Sequence, residues 1–143
     1  MSRAAQRLSF LVMTKRILLA GHCGPDCSHL QIVVHKALPG AQVARADDRE
    51  SLDAAVAAGA DLVLLNRQMG HGFGDALAVD LIRELRPLYP QTVWMVVSNY
   101  AEAQDAAVAA GAARGFGKRE LGSQRTAQLL REAVGFAAAS RAT

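Results

Sequence analysis

Hydrophobic positions along the chain fall into two alternating patterns. Ile17-Leu18-Leu19-Ala20, Asp61-Leu62-Val63-Leu64-Leu65-Asn66 and Thr92-Val93-Trp94-Met95-Val96-Val97-Ser98 are short continuous apolar runs, the pattern of strands buried on both faces. Gln42-Val43-Ala44-Arg45-Ala46 and Arg114-Gly115-Phe116-Gly117 read as weaker strands. Between them the apolar residues recur at helical spacing. Pro25-Asp26 opens a helix carrying Leu30, Val33, Val34 and Ala37, stopped by Pro39-Gly40. Asp48 caps a second through Leu52, Ala55 and Val56 to Gly59. A third runs from Asp75 with Leu77, Leu81, Ile82 and Leu85 on its inner face until Pro87. Glu102 to Ala110, closed by Gly111, is a fourth, and Gln124 to Ala139, with Leu129, Leu130, Ala133 and Val134 inward, a fifth.

Five strands alternating with five helices through short connections predict an α/β fold. Its expected form is a three-layer, doubly wound, five-stranded parallel sheet. Chemistry in such a fold gathers at the C-terminal ends of the strands. Here those ends are Gly21-His22-Cys23, Asn66, Ser98 and Lys118. The similar stretches Ala54–Ala60 and Ala106–Ala112 are two helices with like glycine stops, and their spacing is not continued as a solenoid period. Residues 1–14 are expected to be an N-terminal extension, disordered or packed as an extra element, with Met13 suited to a translation start. Residues 15–139 form the domain and 140–143 a tail.

Composition narrows the partners. The 143 residues are 51% hydrophobic and 20% charged with a formal charge of +3, a globular balance for one domain. The basic residues are scattered and not interleaved with aromatics, so direct nucleic-acid binding is not expected. No apolar run has membrane-spanning length, and two cysteines make no secreted disulfide framework. The expected setting is reduced and cytoplasmic.

From Lys15 to about Gly135 the sequence resembles the receiver domains of bacterial response regulators, which have the flavodoxin-like (βα)5 fold. The resemblance is carried by Ala60-Asp61-Leu62-Val63-Leu64-Leu65-Asn66-Arg67-Gln68-Met69. It is carried also by Val96-Val97-Ser98-Asn99-Tyr100, by Ala107 to Ala112, and by Gly115-Phe116-Gly117-Lys118. In that family two acidic residues after the first strand, and an aspartate ending the third, hold magnesium, and the aspartate takes the phosphoryl group. The matching positions here are Gly21, His22 and Asn66, with Gln68 just beyond. A carboxamide has no carboxylate oxygen to attack phosphorus, and glycine offers no ligand to a hard cation. Aspartyl phosphorylation is therefore expected to be absent, with no catalytic residue and no cofactor.

The resemblance places Ser98 at the small hydroxyl that contacts the phosphoryl group and Lys118 at its paired ammonium. It places Phe116 at the aromatic switch position, and Arg119 replaces the usual proline. More simply, Lys118 donates to Asn66 and loop carbonyls, Ser98 satisfies a strand end, and Phe116 packs in the core. The resemblance implies a pseudo-receiver module of two-component signalling or a phosphorelay, not an enzyme, working through protein–protein contacts. Its surface would include Tyr100, Phe116, Arg119 and the last helix. The expected partner is a kinase, regulator or output protein, with a homodimer as a further option. The alternative is a metal-binding or thiol-redox sensor using His22, Cys23, Cys27 and His29, with His71 across the face. Against it, Cys-x3-Cys-x-His is not a standard zinc spacing.

Overall fold

A computed structural model describes residues 14–142 except His71. The expected extension thus lies almost wholly outside the described residues. Five strands form one parallel sheet in the order β2-β1-β3-β4-β5: β1 (Arg16–Ala20), β2 (Gln42–Ala46), β3 (Leu62–Asn66), β4 (Val93–Val97) and β5 (Ala113–Phe116). The helices are α1 (Gly24–Ala37), α2 (Arg49–Ala57), α3 (Ala78–Leu85), α4 (Ala101–Ala109) and α5 (Gln124–Ala142), with a 3-10 turn at Lys118–Glu120. No helix among the described residues is long and apolar enough to cross a membrane.

Alternation along the central strands sorts the core into two layers. Ile17, Leu19, Leu62, Leu64, Met95, Val97 and Phe116 pack with Leu30 and Val34 of α1 and Leu130 and Val134 of α5. Leu18, Val63, Leu65, Trp94 and Val96 face the other way, onto Leu52 and Val56 of α2, Ile82 of α3 and Ala107 of α4. Each buried aliphatic side chain contributes roughly 1.5–3 kcal/mol. That is why β1, β3 and β4 read as unbroken apolar runs. The helix stops act as the sequence predicts: Gly59 and Gly111 follow α2 and α4 at φ of 108° and 111°, where a side chain would be strained. Asp48 caps α2 reciprocally with Ser51, accepting from its backbone N–H at 2.8 Å.

The start of α3 departs from expectation. Asp75 does not open the helix, which begins at Ala78, and Leu77 stands exposed at the cap position with an extended backbone. The backbone before it is committed elsewhere. Met69 N–H donates to Ala76 at 3.0 Å and Ala78 N–H to Arg67 at 3.0 Å. Buried Phe73 anchors the loop between them. These bonds compete with helical ones over 75–77.

Candidate functional site

The loops after β1, β3, β4 and β5 meet at the C-terminal edge of the sheet. Gly21 follows β1 directly at φ +78°. A Cβ there would come within 3.0 Å of the Met69 backbone and 2.9 Å of its Cε. The space beside β1 is therefore filled by Met69, itself fully buried. His22, next along, points inward: it is 2% exposed, with Nε2 2.9 Å from the Leu64 carbonyl, so that nitrogen is the donor. Nδ1 is buried with no hydrogen-bond partner among the described residues. Burial pushes the imidazole below its ordinary value, and the nearby Lys118 ammonium pushes the same way, against the Leu64 hydrogen bond. The neutral ring is thus the folded form.

On the other side, Asn66, Arg67, Gln68, Ser98, Tyr100 and Lys118 border an open cavity of about 260 Å3. The structure brings four of the sequence-selected positions together here (Asn66, Gln68, Ser98 and Lys118), with Tyr100 from the expected contact surface. Gly21 and His22 are not among its walls. Asn66 Nδ2 donates to the Gln68 carbonyl at 2.9 Å, an intra-loop bond. Ser98 Oγ accepts the Tyr100 backbone N–H at 3.2 Å, and Asn99 Oδ1 accepts the Arg119 backbone N–H at 3.1 Å.

Lys118 corrects the sequence reading. Its partner is not Asn66 or a loop carbonyl but Asp26, in the first turn of α1, at 2.7 Å. The ammonium's hydrogen bond holds the Asp26 carboxyl below its ordinary range, with a smaller contribution in the same direction from Cys23. Asp26 is not merely a favourable helix-start residue; it neutralises the lysine. Of the two readings of Phe116, core packing holds and a place on the contact surface does not: it is 2% exposed, in the layer under α1 and α5. Next to it, Gly115 leaves no room for a Cβ, which would collide with the Val96 carbonyl and the Met95 side chain. Gln104 donates to the carbonyls of Val96 at 2.9 Å and Ser98 at 3.1 Å and accepts the Gly115 N–H at 2.8 Å. Tyr100 and Arg119 are exposed.

The donor set does not fit a hard divalent cation, which wants several oxygens. Gly21 and His22 supply none, Asn66 supplies one neutral oxygen, and Asp26 is engaged by Lys118. The soft cluster is likewise dispersed. Cys23 is exposed at the cap of α1, while Cys27 is buried, its thiol directed at the His22 carbonyl at 3.8 Å and raised by burial. His29 is exposed on α1. Among the described residues no three His, Cys, Asp or Glu side chains form a metal-binding group, and His71 lies outside them.

Asp26, Arg67, Asn99, Gln104 and Met69 are the site residues that sequence reasoning passed over. The signal for Gln104 was present: it lies three residues before Ala107 on the inner face of α4.

No family model and no curated protein matches the sequence. Solved structures do. The chain is similar to a response regulator from Thermotoga maritima, with 19% identity, a TM-score of 0.68, and 85% of this chain and 98% of that one covered. It is similar to the signal receiver domain of a DNA-binding response regulator from Colwellia psychrerythraea, with 16% identity, a TM-score of 0.67 and the same coverage. It is also similar to NtrX from Brucella abortus, with 18% identity and a TM-score of 0.76, over 90% of this chain but 29% of that one. The fold is the receiver fold of response regulators.

Proposed function

We propose that this chain is an atypical receiver module of bacterial signal transduction. In this reading it is not phosphorylated on aspartate, is not an enzyme, and acts in the cytoplasm through contacts with a protein partner. That partner is a kinase, a regulator, an output protein or a second copy of the chain. The observation that carries this reading is the state of the β3 and β5 ends. The residue ending β3 is Asn66, a neutral carboxamide tied to its own loop, and the Lys118 ammonium is already satisfied by Asp26. A phosphoryl donor would meet no carboxylate nucleophile at the strand end, and no oxygen-rich cage to hold the cation that such transfer uses.

Without a covalent switch, the contact surface stands ready-made. Exposed Tyr100 at the start of α4 and exposed Arg119 after β5 flank the same edge of the sheet, and the two loops are joined by the Asn99–Arg119 bond. An exposed aromatic and an exposed arginine on two loops joined to each other suit a protein interface, where both residue types are enriched.

Incubation with acetyl phosphate and magnesium, followed by intact-mass measurement, tests the reading. The expected result is unmodified protein. A phosphoryl adduct would overturn it, and mapping that adduct would identify the acceptor.

A further inference from the structure

Arg67 belongs to two recesses at once. It borders the polar cavity of about 260 Å3 described above. It also borders a second of about 190 Å3 between α3 and α4, walled by Leu77, Val79, Ala103, Ala106 and Ala107. The second recess is apolar except for Arg67 itself and Glu102. Leu77, displaced from the core by the late start of α3, is 40% exposed at this wall. The Arg67 guanidinium lies 5.3 Å from the centre of the Tyr100 ring, and among the described residues no carboxylate pairs with it. Arg45, Arg49, Arg83 and Arg114 all have such a partner.

The charges define a ligand. Arg67 and Lys118 bring two positive charges to the first recess, and Asp26 cancels one. The remaining single charge matches a monoanion, and a guanidinium fork suits a carboxylate. The second recess offers carbon walls, while Glu102 opposes a further negative charge there.

We infer that the two recesses form one site for a small amphiphilic carboxylate, its head against Arg67, Ser98 and Asn99 and its short aliphatic tail between α3 and α4. This goes beyond the signalling reading and stands or falls separately from it. A site so built gains affinity with chain length, about fourfold per methylene fully buried. It discriminates sharply against a cationic head, because Arg67 is then left opposite a like charge.

Backbone-amide NMR titrations of the full chain with acetate, hexanoate, hexylamine and hexanol test this. Hexanoate is expected to produce saturable shifts at Arg67, Ser98, Tyr100 and Ala103, and to bind at least about tenfold more tightly than acetate, as even partial burial of its extra methylenes implies. It is expected to surpass hexylamine and hexanol by a similar factor. Arg67→Gln is expected to reduce hexanoate to the level of hexanol, and Leu77→Ser to erase the preference for hexanoate over acetate. Two exposed positions are chosen so that both variants fold. Equal binding of hexanoate and hexylamine, equal binding of hexanoate and acetate, no saturable shifts, or unchanged hexanoate affinity in Arg67→Gln would each overturn the inference. Saturable shifts that map away from both recesses would overturn it as well.

Discussion

Around the end of β1 the chain has packed its own atoms against the strand, whereas between β3, β4 and β5 the same edge of the sheet opens into a polar cavity. Met69 closes on Gly21, and His22 turns its ring into the interior toward the Leu64 carbonyl. A few residues away, Ser98, Asn99 and Lys118 stand around open space with Arg67 beside them. The two regions share one parallel sheet, regular from β1 to β4 and irregular only between β4 and β5, so the filling of the β1 side is the work of the loop residue Met69. Absence of acidic residues is therefore not just missing charge: on one side, the volume a side chain would need has gone as well.

The largest effect that separates the two regions is expected at Gly21. Gly21→Asp introduces a Cβ at positive φ into contact with the Met69 backbone and is expected to cost about 3 kcal/mol, read as a lowered urea midpoint. Gly24→Asp meets no atom of the described residues within 4 Å of its new Cβ and places an acid in the first turn of α1, so it is expected to change stability by less than about 0.5 kcal/mol. Equal midpoints for the two variants would break the contrast between a filled and an open region.

A smaller, pH-dependent effect belongs to His22. Its folded pKa lies below the ordinary 6.5, so between the two values the unfolded chain binds a proton that the folded chain refuses. Stability is then complete above about pH 6.5 and falls as pH drops below it, with a slope of at most about 1.4 kcal/mol per pH unit, until His22 itself protonates in the fold. In His22→Gln this slope is expected to flatten, as measured by urea unfolding at successive pH values; an unchanged slope would assign it to another group.

The smallest effect is expected at Lys118. Lys118→Met removes the partner of Asp26, but both side chains are partly exposed, so the expected loss is under about 1 kcal/mol. The sharper readout is Asp26 itself, whose carboxyl titration, followed by NMR, is expected to move up toward the ordinary carboxylate range. The depressed Asp26 pKa stabilises the fold above the unfolded value near 3.8 and that contribution disappears as pH falls through the folded value; the variant is expected to lose this acid-side dependence.

What could be read in the sequence follows the range of each interaction. The strands were legible because Leu62 to Leu65 are buried on both faces, and the helix stops because Gly59 and Gly111 act within their own turns. The Asp26–Lys118 pair was not, because its members are far apart in the chain and an acid in a first helical turn already has a sufficient local reason to be there. Met69 looked like any apolar residue after a strand; only the positive φ of Gly21 shows that it acts as a plug. Asp75 misled because it imitates a cap, while the bonds that delay α3 join Met69 to Ala76 and Arg67 to Ala78 across the loop.

Gln104 adds a mechanical consequence. One amide side chain holds β4 through the Val96 carbonyl, the residue just past it through the Ser98 carbonyl, and β5 through the Gly115 N–H, close to where the pairing of those strands shifts register. Helix α4 and the sheet's outer strand are thereby riveted into a single lever. A molecule wedged against Ala103 or Ala106 is therefore expected to disturb the Gly115 amide through Gln104 as well as α4 itself, and Gln104→Leu is expected to confine the disturbance to the helix.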